Sequence, residues 1–112
     1  MPVDSVSDTK VRTVLAELRP RLEALYGDRL VKMVLYGSHA RGDARRWSDI
    51  DVLVVLHGPV EHSEEVFRTG EMTSRLCLEH NVVLQRLFMD ETRFLGGDGA
   101  LLRNIRREGI EV

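Results

Sequence analysis

The sequence predicts an α/β (α+β) domain, a small mixed sheet flanked by helices. Three observations carry this. Apolar residues Val11, Val14, Leu15, Leu18, Leu22, Leu25 and Tyr26 recur at three- and four-residue steps, the spacing of one helix face. "RLVKMVLYG" and "DIDVLVVL" read as strands, the second with apolar residues on both faces after its first positions, as in a covered central strand. A helical stretch then separates these from a third apolar run, so helices and strands alternate.

In chain order, Ser5, Ser7 and Asp8 offer N-caps for the first helix. Pro20 falls inside its pattern and predicts a kink or break there. Gly27 suits its C-cap and Gly27-Asp28 a turn. The first strand spans Leu30–Tyr36. "SHARG" has room for one helical turn, capped by Ser38 and ended by Gly42, and "DARRWS" is a loop. After the second strand, Gly58-Pro59 marks a connection. A second long helix is expected from Glu61 or Ser63 to about Glu79, burying Val66, Phe67, Leu76 and Cys77 and weakened by Gly70. Asn81–Met89 is the third strand, "DETRFL" a short helical turn, "GGDG" a joint, and "ALLRNIRREG" a last helix ending at Gly109.

Bulk composition bounds the function. The 112 residues fit a single domain, 1–112, with one core, and 43% hydrophobic with 30% charged residues is an ordinary globular balance. No apolar run approaches bilayer-spanning length, and "MPVDSVSDTK" has neither a basic lead nor an apolar signal core, so no membrane association is expected. A lone cysteine, Cys77, forms no intrachain disulfide, which suits a reducing, cytoplasmic setting. A net charge of −2 gives no bulk attraction to nucleic acid, and direct binding to it is not expected. Basic charge is local: Arg41, Arg45 and Arg46 in one stretch, Arg103, Arg106 and Arg107 in another.

The chemistry concentrates in "GSHARGDARRWSDID", residues 37–51. Alternate residues on a strand share a face, so Asp49 and Asp51 point one way and Ile50 the other. Two adjacent carboxylates repel unless a cation or proton neutralises them. Mg²⁺ commonly binds through one or two carboxylates plus substrate phosphates. Upstream, Gly37-Ser38 leaves a strand and opens a helical turn with free amide groups. The Ser38 hydroxyl adds a contact, and Gly37 lets a phosphate approach the backbone. Arg41, one turn later, can pair with phosphate in bidentate fashion. Asp-x-Asp and Gly-Ser each occur often in ordinary turns and strand starts. It is their combination across this gap that specifies a site.

These residues resemble the signature of the DNA polymerase β-like nucleotidyltransferase superfamily, in particular its minimal (MNT) members, antitoxins found beside HEPN-domain toxins. "LLRNIRREGIEV" is similar to the tail of that group, so the likeness runs from about Leu30 onward. The resemblance implies a polymerase β-like core, phosphate contacts by Gly37 and Ser38, and Mg²⁺ ligation by Asp49 and Asp51. It implies transfer of AMP from ATP to an acceptor hydroxyl, for some such antitoxins a tyrosine of the partner toxin. The partner would be a HEPN-type toxin or a second copy of the chain. Family members place a third carboxylate on the strand after the long helix, and Gln85 stands there. A glutamine carries no charge and cannot act as a general base. Glu79, Asp90 and Glu91 fall near the ends of that strand. Two functions follow: a nucleotidyltransferase, or a catalytically degenerate antitoxin-like subunit acting by complex formation.

Other residues receive plainer readings. His39 reads as a surface residue on a short turn and His57 and His62 as loop residues. His80 is expected at a helix C-terminus. Trp47 is expected to pack on the sheet, with base stacking as the alternative. Arg45 and Arg46 suit a solvated loop or a phosphate clamp, and Arg103, Arg106 and Arg107 a charged face or an acidic-partner patch.

Overall fold

The computed structural model describes residues 8–112; the cap candidates Ser5 and Ser7 lie outside them. The remaining candidate, Asp8, caps α1 (Thr9–Tyr26): its carboxylate accepts from the amides of Lys10 (2.8 Å) and Val11 (3.2 Å). Pro20 does not break this helix. Its ring lies on the exposed side, while Val14, Leu15, Leu18 and Leu22 are almost fully buried. Each such burial contributes roughly 1.5–3 kcal/mol, which together outweighs a proline cost of about 3 kcal/mol.

A 3₁₀ turn (Gly27–Arg29) leads into β1 (Leu30–Tyr36), followed by α2 (Ser38–Arg41), β2 (Ile50–Leu56), α3 (His62–Arg68) and α4 (Gly70–His80). Then come β3 (Leu84–Asp90), α5 (Glu91–Gly96), α6 (Ala100–Glu108) and β4 (Ile110–Glu111). The sheet order is β3-β2-β1-β4, with β1 antiparallel to β2 and β4, and β2 parallel to β3. This is the expected mixed sheet flanked by helices. Ile50, Val52, Val54 and Leu56 face the core shared with α1 and α4; Leu53 and Val55 face Phe94, Leu102 and Ile105 of α5 and α6. Every residue of β2 except Asp51 is buried. The strand is thus fixed on both faces, and its one acid is held at the end where the sheet opens.

Four expectations are corrected. The second long helix is two helices, divided at Thr69. The Thr69 hydroxyl donates to the Glu65 carbonyl (2.9 Å), and Arg86 donates to Thr69 Oγ1 and the Val66 carbonyl (each 3.1 Å), fixing the turn from β3. The break changes the inward face. Phe67, expected buried, is 89% exposed, and Glu65 is buried instead, accepting from the Tyr26 hydroxyl at 2.6 Å. The third strand begins at Leu84 rather than Asn81, because Asn81 takes the left-handed conformation (φ 53°) that caps α4, and it runs on to Asp90. The short strand β4 was not expected; it pairs Ile110 with Leu35 and Glu111 with Val34.

Candidate active site

Gly37 links β1 to α2 with φ 75° and ψ −155°, a conformation that disfavours any side chain. A Cβ there would overlap Asp51 Oδ2 and lie 3.3 Å from its Cγ. The amides of Ala40 and Arg41 both donate to the Gly37 carbonyl at 3.1 Å. Those of Ser38 and His39, at the start of the turn, have no intrahelical acceptor. Gly42 ends α2 in the left-handed region (φ 84°), as the sequence suggested.

The antiparallel register sets Tyr36 against Asp51, and the parallel register sets Gln85 against Asp51 on its other side. Paired residues share a sheet face, so Tyr36, Asp51 and Gln85 form one row. Asp49 lies just before β2 and is exposed, whereas Asp51 is half-buried. Burial pushes the Asp51 carboxyl above the usual aspartate range and the Asp49 charge adds to this, opposed by nearby His39 and Arg41. Burial, and then Asp51, push the Tyr36 phenol up as well. Neither aspartate has an ion-pair or hydrogen-bond partner among the described residues. A partly buried carboxylate beside a like charge is the electrostatic setting a divalent cation relieves, so Asp49 and Asp51 fit such an ion, with the Gln85 amide as a neutral neighbour.

Arg41 is partly exposed and engaged by carboxylates: Asp43 at 3.1 Å and Glu108 of α6 at 3.6 Å. His39 is half-buried rather than a surface residue, with Nε2 3.3 Å from the Ser48 carbonyl. It ties α2 to the loop carrying Asp49, a contact between residues nine apart that no local pattern announces. The Ser48 hydroxyl accepts from the Arg45 amide at 2.8 Å and closes that loop. Trp47 does not pack on the sheet; it is 76% exposed.

The other candidate acids are committed elsewhere. Asp90 pairs with Leu56 at the far end of β2 and caps α5 through the Arg93 amide at 2.7 Å. Glu91 meets His57 Nδ1 at 3.0 Å. Glu79 lies with Glu17 and His80, their ligand atoms within 4.8 Å of one another, in a separate group joining α1 and α4. His62 opens α3 instead of lying in a loop, and its Nδ1 accepts from the Phe88 amide at 3.2 Å. In the C-terminal arginine triplet, Arg106 donates to the Phe94 and Gly97 carbonyls (each 2.6 Å), while Arg103 and Arg107 pair with Asp98 and Glu108.

The family described as "Nucleotidyltransferase domain" matches residues 15–100, the span holding the Gly37–Asp51 unit and all three long strands. The chain belongs to this family. Among its relatives, "Putative protein adenylyltransferase MJ0604" of Methanocaldococcus jannaschii is 33% identical over 89 residues, 79% of this chain and 83% of that protein. "Putative protein adenylyltransferase MJ0141" of the same organism is 25% identical over 99 residues, 88% and 95% of the two chains. In fold, this nucleotidyltransferase-domain chain is similar to a toxin–antitoxin structure crystallised with AMP-PNP: TM-score 0.58, 17% identity, 85% of this chain and 69% of that one. It is also similar to the structure of "a putative nucleotidyltransferase from Sulfolobus solfataricus": TM-score 0.55, 24% identity, 99% and 86% covered. Among the described residues, no helix is long and apolar enough to cross a membrane.

Proposed function

We propose that this chain is a single-domain, Mg²⁺-dependent nucleotidyltransferase that moves AMP from ATP to a hydroxyl on a partner protein, as the cytoplasmic antitoxin of a toxin–antitoxin pair. The observation that carries the reading is the Asp51 carboxylate, with the Asp49 charge near it, packed against the Cβ-free face of Gly37. The names of the Methanocaldococcus relatives support transfer to a protein, and the toxin–antitoxin fold neighbour supports a protein partner.

Gly37 leaves room for phosphate oxygens beside the backbone. The amides of Ser38 and His39 and the Ser38 hydroxyl donate to those oxygens, and Arg41, released from Asp43, adds positive charge. Asp49 and Asp51 would hold the metal, and a bound Mg²⁺ would supply neutralisation of the charge that develops on transfer. The acceptor oxygen attacks the α-phosphorus, the bond to the β-phosphate bridge breaks, pyrophosphate leaves, and the hydroxyl proton passes to solvent. Gln85 beside Asp51 cannot take that proton, so this row offers no carboxylate base apart from Asp51, which is assigned to the metal. The same observation favours a second reading: a degenerate antitoxin that neutralises a HEPN-type toxin, or assembles with itself, by complex formation alone.

The two readings separate by intact mass after incubating the chain, its genomic-neighbour protein, ATP and Mg²⁺. Gain of one AMP on the neighbour, lost in Asp49→Ala and Asp51→Ala, is expected for transfer. Tight complex formation without a mass change, indifferent to both substitutions, selects the second reading.

A further inference from the structure

The strand β3 is at the margin of the sheet, and its hydrogen-bonding pattern says which of its groups face outward. Ile50 pairs with Leu84, and its amide donates to the Val83 carbonyl at 2.9 Å. In a parallel ladder this turns the odd-numbered residues of β3 toward β2 and leaves Leu84, Arg86 and Phe88 with N–H and C=O directed away from it. The amide of Phe88 confirms the direction, since it donates outward to His62 Nδ1. For Leu84 and Arg86 no outward backbone partner occurs among the described residues.

A proline or an outward charge is among the devices that protect such an edge. Residues 84–86 contain no proline, and the Arg86 guanidinium is turned back to Thr69 and the Val66 carbonyl. Between this edge and α4 runs a cleft of about 530 Å³, lined by Val66, Thr73, Cys77, Leu78 and Val83, with Arg86 its single charged residue. Val83 also borders a second groove, with Trp47, Lys10 and Arg46. Leu78, Val83 and Trp47 are 84%, 52% and 76% exposed, so apolar surface follows the edge. Its positive charges are Arg86, Lys10 and Arg46 against a single carboxylate, Asp8, so the strip is net basic.

We infer that the β3 edge is a docking site for an extended, acidic segment of a partner protein, which adds as a fifth strand between β3 and α4. The open N–H and C=O groups select a strand, because a helix satisfies its own backbone groups and leaves an edge unpaired. Strand alternation sends every second side chain into the cleft, which calls for apolar residues there, while the basic rim calls for Asp or Glu between them. The capped Phe88 amide limits the window and so sets the register. The cleft between β3 and α4 shares no lining residue with the phosphate-facing turn, so the inference stands whether or not nucleotidyl transfer occurs.

A random short-peptide display library panned on the intact chain, with Leu78→Glu as counter-target, tests this. Leu78 is solvent-facing, so the variant keeps its core; its melting temperature checks this. Selected peptides should alternate apolar and acidic residues and bind Leu78→Glu at least about tenfold more weakly. They should also slow amide exchange at Leu84 and Arg86. Failure of any peptide to discriminate the variant, a basic consensus, or binding without protection of those two amides overturns the inference. Concentration-dependent protection of the same amides in the free chain also overturns it, by assigning the edge to a second copy.

Discussion

The carboxylate of Asp51 occupies the space in which a side chain on Gly37 would begin. The turn after β1 and the acid on β2 are therefore one packed unit, although fourteen positions apart in the chain (51 − 37). Gly37→Ala meets two obstacles, a positive φ of 75° and overlap with the acid. The variant is expected to lose roughly 1–3 kcal/mol of stability. Binding of ATP·Mg²⁺ should fall by at least about tenfold as Asp51 is displaced. Chemical denaturation and titration calorimetry on the same preparation measure both; unchanged binding in a folded variant would sink the proposed phosphate cradle.

Asp51 should also set how stability responds to pH. Its folded-state pKa is raised, by burial first and Asp49 second, so the folded chain holds that proton more tightly than the unfolded chain. The protonated acid's contribution is then fully present below the ordinary aspartate pKa and is lost as pH rises through the folded value. In metal-free buffer Asp51→Asn should therefore melt higher than the parent chain at neutral pH, with the gap closing in acid. Added Mg²⁺ should narrow the neutral-pH gap by stabilising the parent alone. Melting curves across acidic to neutral pH, with and without Mg²⁺, decide it; a gap independent of pH would point to packing instead of charge.

The boundaries of β1 and α2 were readable because glycine punctuates them: Gly27 before, Gly37 between and Gly42 after each depart from helical or extended conformation at positive φ. The position of Asp51 on a strand, with Asp49 just before it, was readable because strand periodicity is local. What was not readable depends on contacts distant in sequence. The division at Thr69 is enforced by Arg86, and the link from His39 to Ser48 joins two segments that look like ordinary loop. The strand β4 is two residues long and exists through pairing with β1, so no period was there to detect. Trp47 was assigned to packing on apolarity alone, yet nothing at the loop tip covers it.

The Tyr26–Glu65 hydrogen bond should be the costliest single polar contact to remove from the α1 side of the core. Glu65 is 3% exposed, and its carboxylate is held by the Tyr26 hydroxyl at 2.6 Å and Arg68 Nε at 3.0 Å. Burial, then the bond to Glu65, pushes the Tyr26 phenol far up, so it remains a donor across the whole working pH range. Tyr26→Phe keeps the ring against Phe88 and removes only the donor, leaving the buried acid short of a partner. A loss of about 1–3 kcal/mol is expected from urea denaturation. Tyr26→Phe combined with Glu65→Gln should recover part of it, since the neutral amide is cheaper to leave buried. A Tyr26→Phe chain as stable as the parent would mean the hydroxyl is replaced by solvent.

Gln85 provides the most direct probe of the proposed metal site. The parallel register sets it beside Asp51 on the same face, and it is exposed, so an aspartate fits there without repacking the core. Gln85→Asp adds a third carboxylate to Asp49 and Asp51. Without metal, the added like charge should lower the melting temperature and push the Asp51 carboxyl further up. With Mg²⁺ or Mn²⁺ present, the same charge becomes a ligand, and affinity should rise by roughly tenfold or more. The paired signs matter: destabilisation alone describes any crowded acid, whereas destabilisation reversed by divalent metal describes a coordination site. Calorimetric titration with each metal, and melting curves with and without it, provide both signs. If metal affinity is the same in Gln85→Asp and the parent, this position does not face the ion, and the ligand set must be sought among other residues near Asp49.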